Sequence, residues 1–504
     1  MKHLIKRNII ISFGIALCFA QSSCKKDFLT KTDPTSIDKN LFYKNQAEME
    51  QAVNGVYGQL QGIINGQWVY NELPSDNTTV DFDPGNRGFA PTIEAFEFFN
   101  VNSGTGNIND MYIAYYGSLF NVNNTLLKLK NSTIADSVKG PFDGQLKFLR
   151  AYYYFELTQY FGDVILITAP LDLQSQAWDY LREPQAKVYT QIETDLKDAV
   201  TELPVSYNSA NLGRITKGAA LSLLGKVYLT KKQYADAATT LTQVLSLGYS
   251  LVPSYADVFD PAKKNGPESV FEVQYKGGND LGEWSSFIYT FAPRLSKGAV
   301  TGWEQSTPGG WNIPTKDLIS SYEAGDVRKD VSIGLDFNSP ITGQQIPYIK
   351  KYDHTHAIYG RTDDNWPVLR YSDVLLMLAE SINEQTGPNS DAYNYLNQVR
   401  QRAGLGALSG LSQESFRDTL QHERRVELAF ENWRWLDLKR TKTPTELAAF
   451  LNAYAAREKA DPTVGRQGIP YSTKDYDFQP YEALYPIPAS EILINNKLTQ
   501  NPQY

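Results

Sequence analysis

Cysteine is nearly missing from this chain: two occur in 504 residues, Cys18 and Cys24, and both precede residue 25. Whatever follows has no pair to oxidise, so its fold cannot rest on disulfides. Histidine is almost as scarce, with four residues, of which His354, His356 and His422 lie beyond the first 24. The sequence also lacks a Gly-x-Ser-x-Gly elbow and a phosphate-cradling glycine loop. Basic charge is in deficit, with 48 Lys and Arg against 56 Asp and Glu. That balance argues against a nucleic-acid partner, because phosphate binding needs basic surface. No apolar run approaches the roughly 20 residues that span a bilayer.

The first residues carry an export signal. Lys2, Lys6 and Arg7 precede an uncharged stretch from Ile9 to Ala20, followed by Ser22, Ser23 and Cys24. This reads as a signal peptide over residues 1–23, cleaved before Cys24, whose thiol is then lipidated. Gln21 stands where such sites usually have an apolar residue, and Cys18 is a poorer rival site. Cleavage leaves 45 basic against 56 acidic residues, a net of −11. A doubly acylated cysteine holds a protein on a membrane without a spanning helix. Residues 24–45, polar and broken by Pro34, read as the lipidated Cys24 and its tether.

The remaining chain has an ordinary globular composition, 42% apolar, and length alone permits several domains. Its strongest pattern is Leu221-x-x-Leu224-Gly225-x-x-Tyr228 followed by Ala237 and Leu241, the offsets of a tetratricopeptide-type helix pair. Small residues at Gly225 and Ala237 let two helices approach, with Lys231-Lys232-Gln233 as the turn. One such pair cannot bury its own apolar face, so neighbours must stack on it. Amphipathic periodicity predicts them at Gln46–Leu60, Asn109–Leu129, Gln145–Tyr160 and Gln185–Leu203, and again at Val374–Asn383 and Ala392–Arg402. The stretch from Leu251 to Trp366 is rich in Gly, Pro and short apolar runs such as Ser269–Tyr275, and reads as a loop-rich insertion with a few strands. Leu73–Gly106 reads as a second irregular region.

Glu423–Arg440 reads as one helical face through Val426, Phe430, Trp433 and Leu436. Its charges, Arg424 with Glu427 and Glu431 with Arg434, are spaced three apart for pairing on the helix surface. An adjacent arginine keeps a carboxylate ionised, which argues against a general acid here. Asp353-His354-x-His356 has two ligand types on alternate residues but no further ligand set, and the acidic pieces Asp81–Asp83 and Asp363–Asp364 carry the oxygens calcium takes, though such runs are usually just solvated. No catalytic residue and no cofactor is assigned.

Tyr, Trp and Phe number 32, 8 and 23. Rings on loops are where a ligand such as a sugar would stack, since binding residues concentrate on loops held by rigid scaffolds. In the two irregular regions the ring candidates are Phe82, Phe89, Trp284, Tyr289, Trp303 and Trp311, with Asn77, Asp81, Arg87, Asn279 and Glu283 as polar partners. Trp303 and Trp311 lead, because flanking glycines leave room beside them.

Several motifs together resemble the SusD/RagB family of outer-membrane nutrient-binding lipoproteins of Bacteroidetes. They are Ser23-Cys24-Lys25-Lys26-Asp27-Phe28-Leu29; Arg150-Ala-Tyr-Tyr-Tyr-Phe-Glu-Leu with Tyr160-Phe161-Gly162-Asp163; and Thr216-Lys217-Gly218-Ala219-Ala220. Further on come Arg370-Tyr371-Ser372-Asp373-Val374, Asn397-x-Val399-Arg400-x-Arg402-Ala403-Gly404, Glu423–Glu431 with Trp433-Arg434, and Tyr485-Pro486-Ile487-Pro488. The resemblance implies a mainly α fold in which tetratricopeptide-like helix pairs pack on a loop-rich half with a few short strands. It further implies one domain over 46–504, with helical repeats at about 46–250 and 367–440 around the insertion at about 251–366. It implies no enzymatic activity, a glycan ligand (a peptide in some relatives), a surface-facing lipid anchor in the outer membrane, and a SusC-like TonB-dependent barrel as partner. A structural lid with little ligand affinity is the other role that such a partnership allows.

Overall fold

The computed structural model describes residues 43–85, 87–171, 173–278 and 282–504. The export signal, Cys24 and most of the tether lie outside the described residues, as does Asn279. Among the described residues no helix is long and apolar enough to cross a membrane.

Helices α1 (Gln46–Asn71), α3 (Gly106–Asn131), α4 (Asp136–Phe161) and α5 (Gln185–Glu202) form the first helical layer; the first three outrun the periodic stretches that predict them, and α5 ends one residue short of its own. Between α1 and α3 the segment expected to be irregular contains a short helix, α2 (Ala90–Glu97), with Pro91 in its first turn, where the missing N–H costs nothing. The tetratricopeptide-type pair is α6 (Lys217–Thr230) and α7 (Tyr234–Thr242). Thr216 caps α6 by accepting from the Ala219 N–H, and Lys232 takes a positive φ in the turn. Gly225 is the contact point: a methyl group there would lie 2.4 Å from the Leu241 side chain. Helices α8 (Tyr371–Thr386), α9 (Ser390–Arg402), α10 (Gln413–Glu427), α11 (Arg434–Thr441) and α12 (Pro444–Ala460) complete the helical part. α8 packs against α7, α9 and α10, which joins the later pairs to the earlier ones.

Two expectations about helices need correction. Helix α4 is not amphipathic over its second half: every residue from Phe148 to Phe161 is buried, because α1, α3, α5 and α6 surround it. Gly162, at φ 72°, ends it. Glu423–Arg440 is not one helix either. It breaks between α10 and α11, where Phe430 and Asn432 take φ of 65° and 66°.

That break turns the charges inward. Glu427 pairs with Arg328, Arg370 and Arg402 at 3.2, 2.8 and 2.5 Å, and Glu431 pairs with Arg370 and Lys351, each at 2.7 Å. Arg424 meets Asp373 and Asp437, and Arg434 meets Asp76. None of these is the surface i, i+3 pair that the spacing suggested. Their partners come from the loop-rich part (Arg328, Lys351, Arg370), from the segment after α1 (Asp76) and from α8, α9 and α11 (Asp373, Arg402, Asp437), so buried ion pairs connect the two halves. Removing one partner of such a pair strands the other charge, at a cost of about 3–5 kcal/mol.

The loop-rich part holds short antiparallel ladders. β1 (Thr78–Thr79) pairs with β3 (Ile313–Pro314), and β2 (Ser269–Val273) pairs with β4 (Trp366–Arg370) with Phe271 opposite Leu369. The apolar run Ser269–Tyr275 is thus a strand along most of its length. Short helical turns such as Phe287–Phe291 and Lys316–Ser321 fill the intervals. A hydrophobic core from Met49 to Ile487 runs through both halves, and a small satellite of Phe82, Ile313, Ile346 and Val464 sits under the loops.

Candidate functional site

Two of the candidate rings, Trp311 and Phe89, meet where residues 309–311 cross the short helix Phe287–Phe291. The Gly309 N–H donates to the Tyr289 carbonyl at 2.9 Å, Gly310 N–H to Ala292 at 2.9 Å, and Trp311 N–H to Thr290 at 3.2 Å. Gly310 sits at φ 59°, and a side chain there would meet Asp81 and Arg294. This backbone lattice sets the direction of Trp311. Trp311 is half-buried and tilts against Phe89, 5.2 Å between centroids, and Phe89 is 42% exposed.

The second group of rings surrounds Trp303. Its turn is pinned by the Thr301 hydroxyl, which accepts from the Trp303 N–H at 3.2 Å and pairs with the Ser306 hydroxyl at 2.7 Å. Trp303 lies 6.0 Å from His356 and 6.0 Å from Tyr359. Tyr289 stands edge-on to Tyr359 at 5.3 Å, and its hydroxyl is 2.5 Å from His356 Nε2. The Trp284 ring is covered by the Arg361 guanidinium at 4.5 Å. Trp284, Tyr289, Trp303 and His356 are half-buried, and Tyr359 is 39% exposed. Each of these rings is thus held by packing while part of its side chain stays exposed.

Other candidates are placed differently. Phe82 is buried in the satellite core, its ring approached by Arg87 at 4.4 Å and Arg466 at 4.1 Å, so no face is left for a ligand. Arg87 pairs with Glu94. Asn77 is fully buried, its amide oxygen accepting from Arg425 Nε at 2.9 Å, and it joins α10 to β1. Asp81 is also buried: its N–H donates to the Gly310 carbonyl and its carboxylate accepts from the Arg294 N–H at 3.0 Å, while burial pushes its pKa up to about 6. These residues support the platform from behind, because Asp81 braces the Gly310 turn. Glu283 is exposed beside Trp284.

Sequence reasoning missed His356, Tyr359 and Arg361. The sequence reads Asp353-His354-x-His356 only as a metal fragment without a further ligand set, although His356-x-x-Tyr359-Gly360-Arg361 already offers rings beside a glycine. His354 instead meets Asp364 at 2.6 Å, and although burial opposes it, that carboxylate raises the His354 pKa. Among the described residues no group of three or more His, Cys, Asp or Glu is placed to hold a metal. Asp363 pairs with Lys264, and Asp83 accepts from the Gly85 N–H. Glu427, despite its burial, is held well below the usual carboxylate range by Arg402, Arg370 and Arg328, so it has no proton to give as an acid.

Two family descriptions match the chain: "SusD family" over residues 336–504 and "Starch-binding associating with outer membrane" over residues 26–229. A SusD-like protein of Formosa agariphila is 25% identical, the match covering 99% of this chain and 98% of the relative. Among solved structures, a SusD superfamily protein from Parabacteroides distasonis is 26% identical with a TM-score of 0.76, covering 91% of this chain and 99% of its own. A laminarin-binding SusD-like protein is 25% identical with a TM-score of 0.74, covering 92% and 100%. With matched segments at both ends and relatives aligned over nearly their whole length, the chain belongs to the SusD/RagB family.

Proposed function

We propose that this protein is a glycan-binding lipoprotein of the outer-membrane surface, which captures an oligo- or polysaccharide on the ring platform and delivers it to a SusC-like TonB-dependent barrel. The observation that carries this reading is the arrangement of Trp303, Tyr289, Tyr359, Trp311 and Phe89, partly open rings on turns fixed by backbone hydrogen bonds. Sugar rings present flat C–H faces, and flat aromatic side chains held in place cover them without a further ordering cost. The starch-binding family description and the laminarin-binding neighbour support the same ligand class. Cys24 supplies the anchor, and residues 25–45 the tether. The protein is not an enzyme: it binds and passes on its ligand unchanged.

The test is affinity electrophoresis of the mature protein in gels containing starch, laminarin or other soluble polysaccharides, followed by calorimetry. Retardation by one polysaccharide that disappears in the Trp303→Ala/Trp311→Ala variant is the expected result. Binding to peptide mixtures alone would make the protein a peptide carrier. Tight association with a barrel without any soluble ligand would make it a structural lid.

A further inference from the structure

None of the platform rings lines a pocket of about 380 Å³ that lies between α1, the 210–214 loop and β2. That volume lies within the range of small-ligand sites, about 300–1,000 Å³. Its wall on α1 is built from positions 54, 57, 58 and 61, one face of the helix. Two carboxamides on that face are each fixed by one end. The Asn54 oxygen accepts from Arg214 Nη2 at 2.9 Å, and Gln61 Nε2 donates to the Gln274 carbonyl at 2.7 Å. Asn54 Nδ2 and Gln61 Oε1 make no bond among the described residues, which leaves one oriented donor and one oriented acceptor on the cavity wall. Seven residues of helix separate them by about 10 Å, the length of a disaccharide. Between them Gly58 leaves open space, with nothing within 4 Å of where a side chain would start. The floor is the buried Phe271, and Leu212, 56% exposed, forms an apolar lip.

The lining carries charge of both signs, Lys276 and Glu283 beside Arg214 and Glu272, so no net charge selects an anion or a cation. An anion finds no free guanidinium, because Arg214 is occupied by Glu50 at 2.7 Å, Asn211 at 2.8 Å, Asn54 and Gln145. A cation gains little from Glu272, which is buried and accepts from the Asn265 N–H, and burial raises its pKa. A peptide adding to the outer edge of β2 is blocked, because Gln61 already holds the Gln274 carbonyl and Gln274 Nε2 holds the Glu272 carbonyl at 2.8 Å. A small, uncharged, hydroxyl-rich molecule satisfies all three restrictions.

We propose that this cavity is a second binding site, separate from the ring platform, that takes a short neutral saccharide of about two hexose units between Asn54 and Gln61. It places a saccharide-binding function on the helical half of a molecule whose platform belongs to the loops.

Saturation-transfer NMR of the mature protein with maltose, laminaribiose and cellobiose tests it. The blocking variant is Gly58→Leu, which fills the cavity from an open position in a helix and raises helix propensity, so it folds. The expected result is a disaccharide signal in the wild type and in Trp303→Ala/Trp311→Ala, lost or weakened at least tenfold in Gly58→Leu. A signal that survives Gly58→Leu, a signal lost only in the platform variant, or no signal in the wild type each overturns the proposal. Polysaccharide retardation is read on the same proteins. Its failure everywhere counts against the platform and leaves the disaccharide result standing.

Discussion

Two populations of aromatic rings coexist in this molecule and do opposite things. On α4, Tyr152, Tyr153, Tyr154, Phe155, Tyr160 and Phe161 are buried at 2% exposure or less. Most of their polar tips are satisfied internally: the Tyr154 hydroxyl donates to the Ile167 carbonyl at 2.8 Å and the Tyr160 hydroxyl to Glu156 at 2.6 Å. On the loops, Phe89, Tyr289, Trp303, Trp311 and Tyr359 keep a face or an edge open. The same residue types therefore act as structural filler in one half and, under the proposed function, as a recognition surface in the other. The difference is backbone context: a helix enclosed by four others has no open side, whereas a glycine-flanked turn keeps one.

Substitutions that separate the two populations sharpen this contrast. The largest effect is expected for Phe155→Ala, which leaves a cavity in the α4 core and lowers stability by about 3–5 kcal/mol, read by denaturant titration. Polysaccharide affinity of the folded fraction should stay unchanged. Next is Trp303→Ala/Trp311→Ala, where losing two anchor rings costs about 2 kcal/mol or more of binding, roughly 30-fold in Kd, with little change in Tm. A large fall in Tm would move these rings into the structural class. Tyr160→Phe follows, removing the donor to a buried carboxylate and costing about 1–3 kcal/mol of stability without touching ligand binding. Smallest is Tyr359→Ala, about threefold in affinity, since this ring contributes an edge contact of about 0.5–1 kcal/mol.

One pH dependence of stability comes from the buried side. Burial pushes the pKa of Glu72 up to about 8, from 4.5 for an exposed glutamate. The folded state therefore holds a proton that the unfolded chain has released, and this contribution is complete below about pH 4.5 and is lost as pH rises through 8. Glu72→Gln should flatten that decline, so its Tm advantage over the wild type grows from pH 5 to pH 8. An advantage independent of pH would show that Glu72 does not carry the proton.

The helices were legible because their apolar period and their caps are local properties. Gly225, Ala237 and Leu241 announced a helix pair, and the pair is there at the expected turn. The break between α10 and α11 was not legible, because Phe430 and Asn432 adopt positive φ without a glycine to signal it, in exchange for ion pairs with residues 50 to 100 positions away in sequence. The placement of the candidate rings was half legible. Trp303 and Trp311 stood out by their glycines, but Tyr359 and His356 join them only through tertiary folding. Phe82 and Asn77 lie in the right segment on the wrong side of it, a distinction that loop composition does not carry.

The lattice that links Gly309, Gly310 and Trp311 to Tyr289, Thr290 and Ala292 uses main-chain atoms only. Its geometry is therefore indifferent to which side chain occupies positions 289 and 311. Selection can exchange one ring for another, or for a polar group, without rebuilding the turn that presents it, which makes this crossing an adjustable reader on an invariant mount. Under the proposed function, a change of glycan would alter only the letters at these positions, not the grammar of the fold.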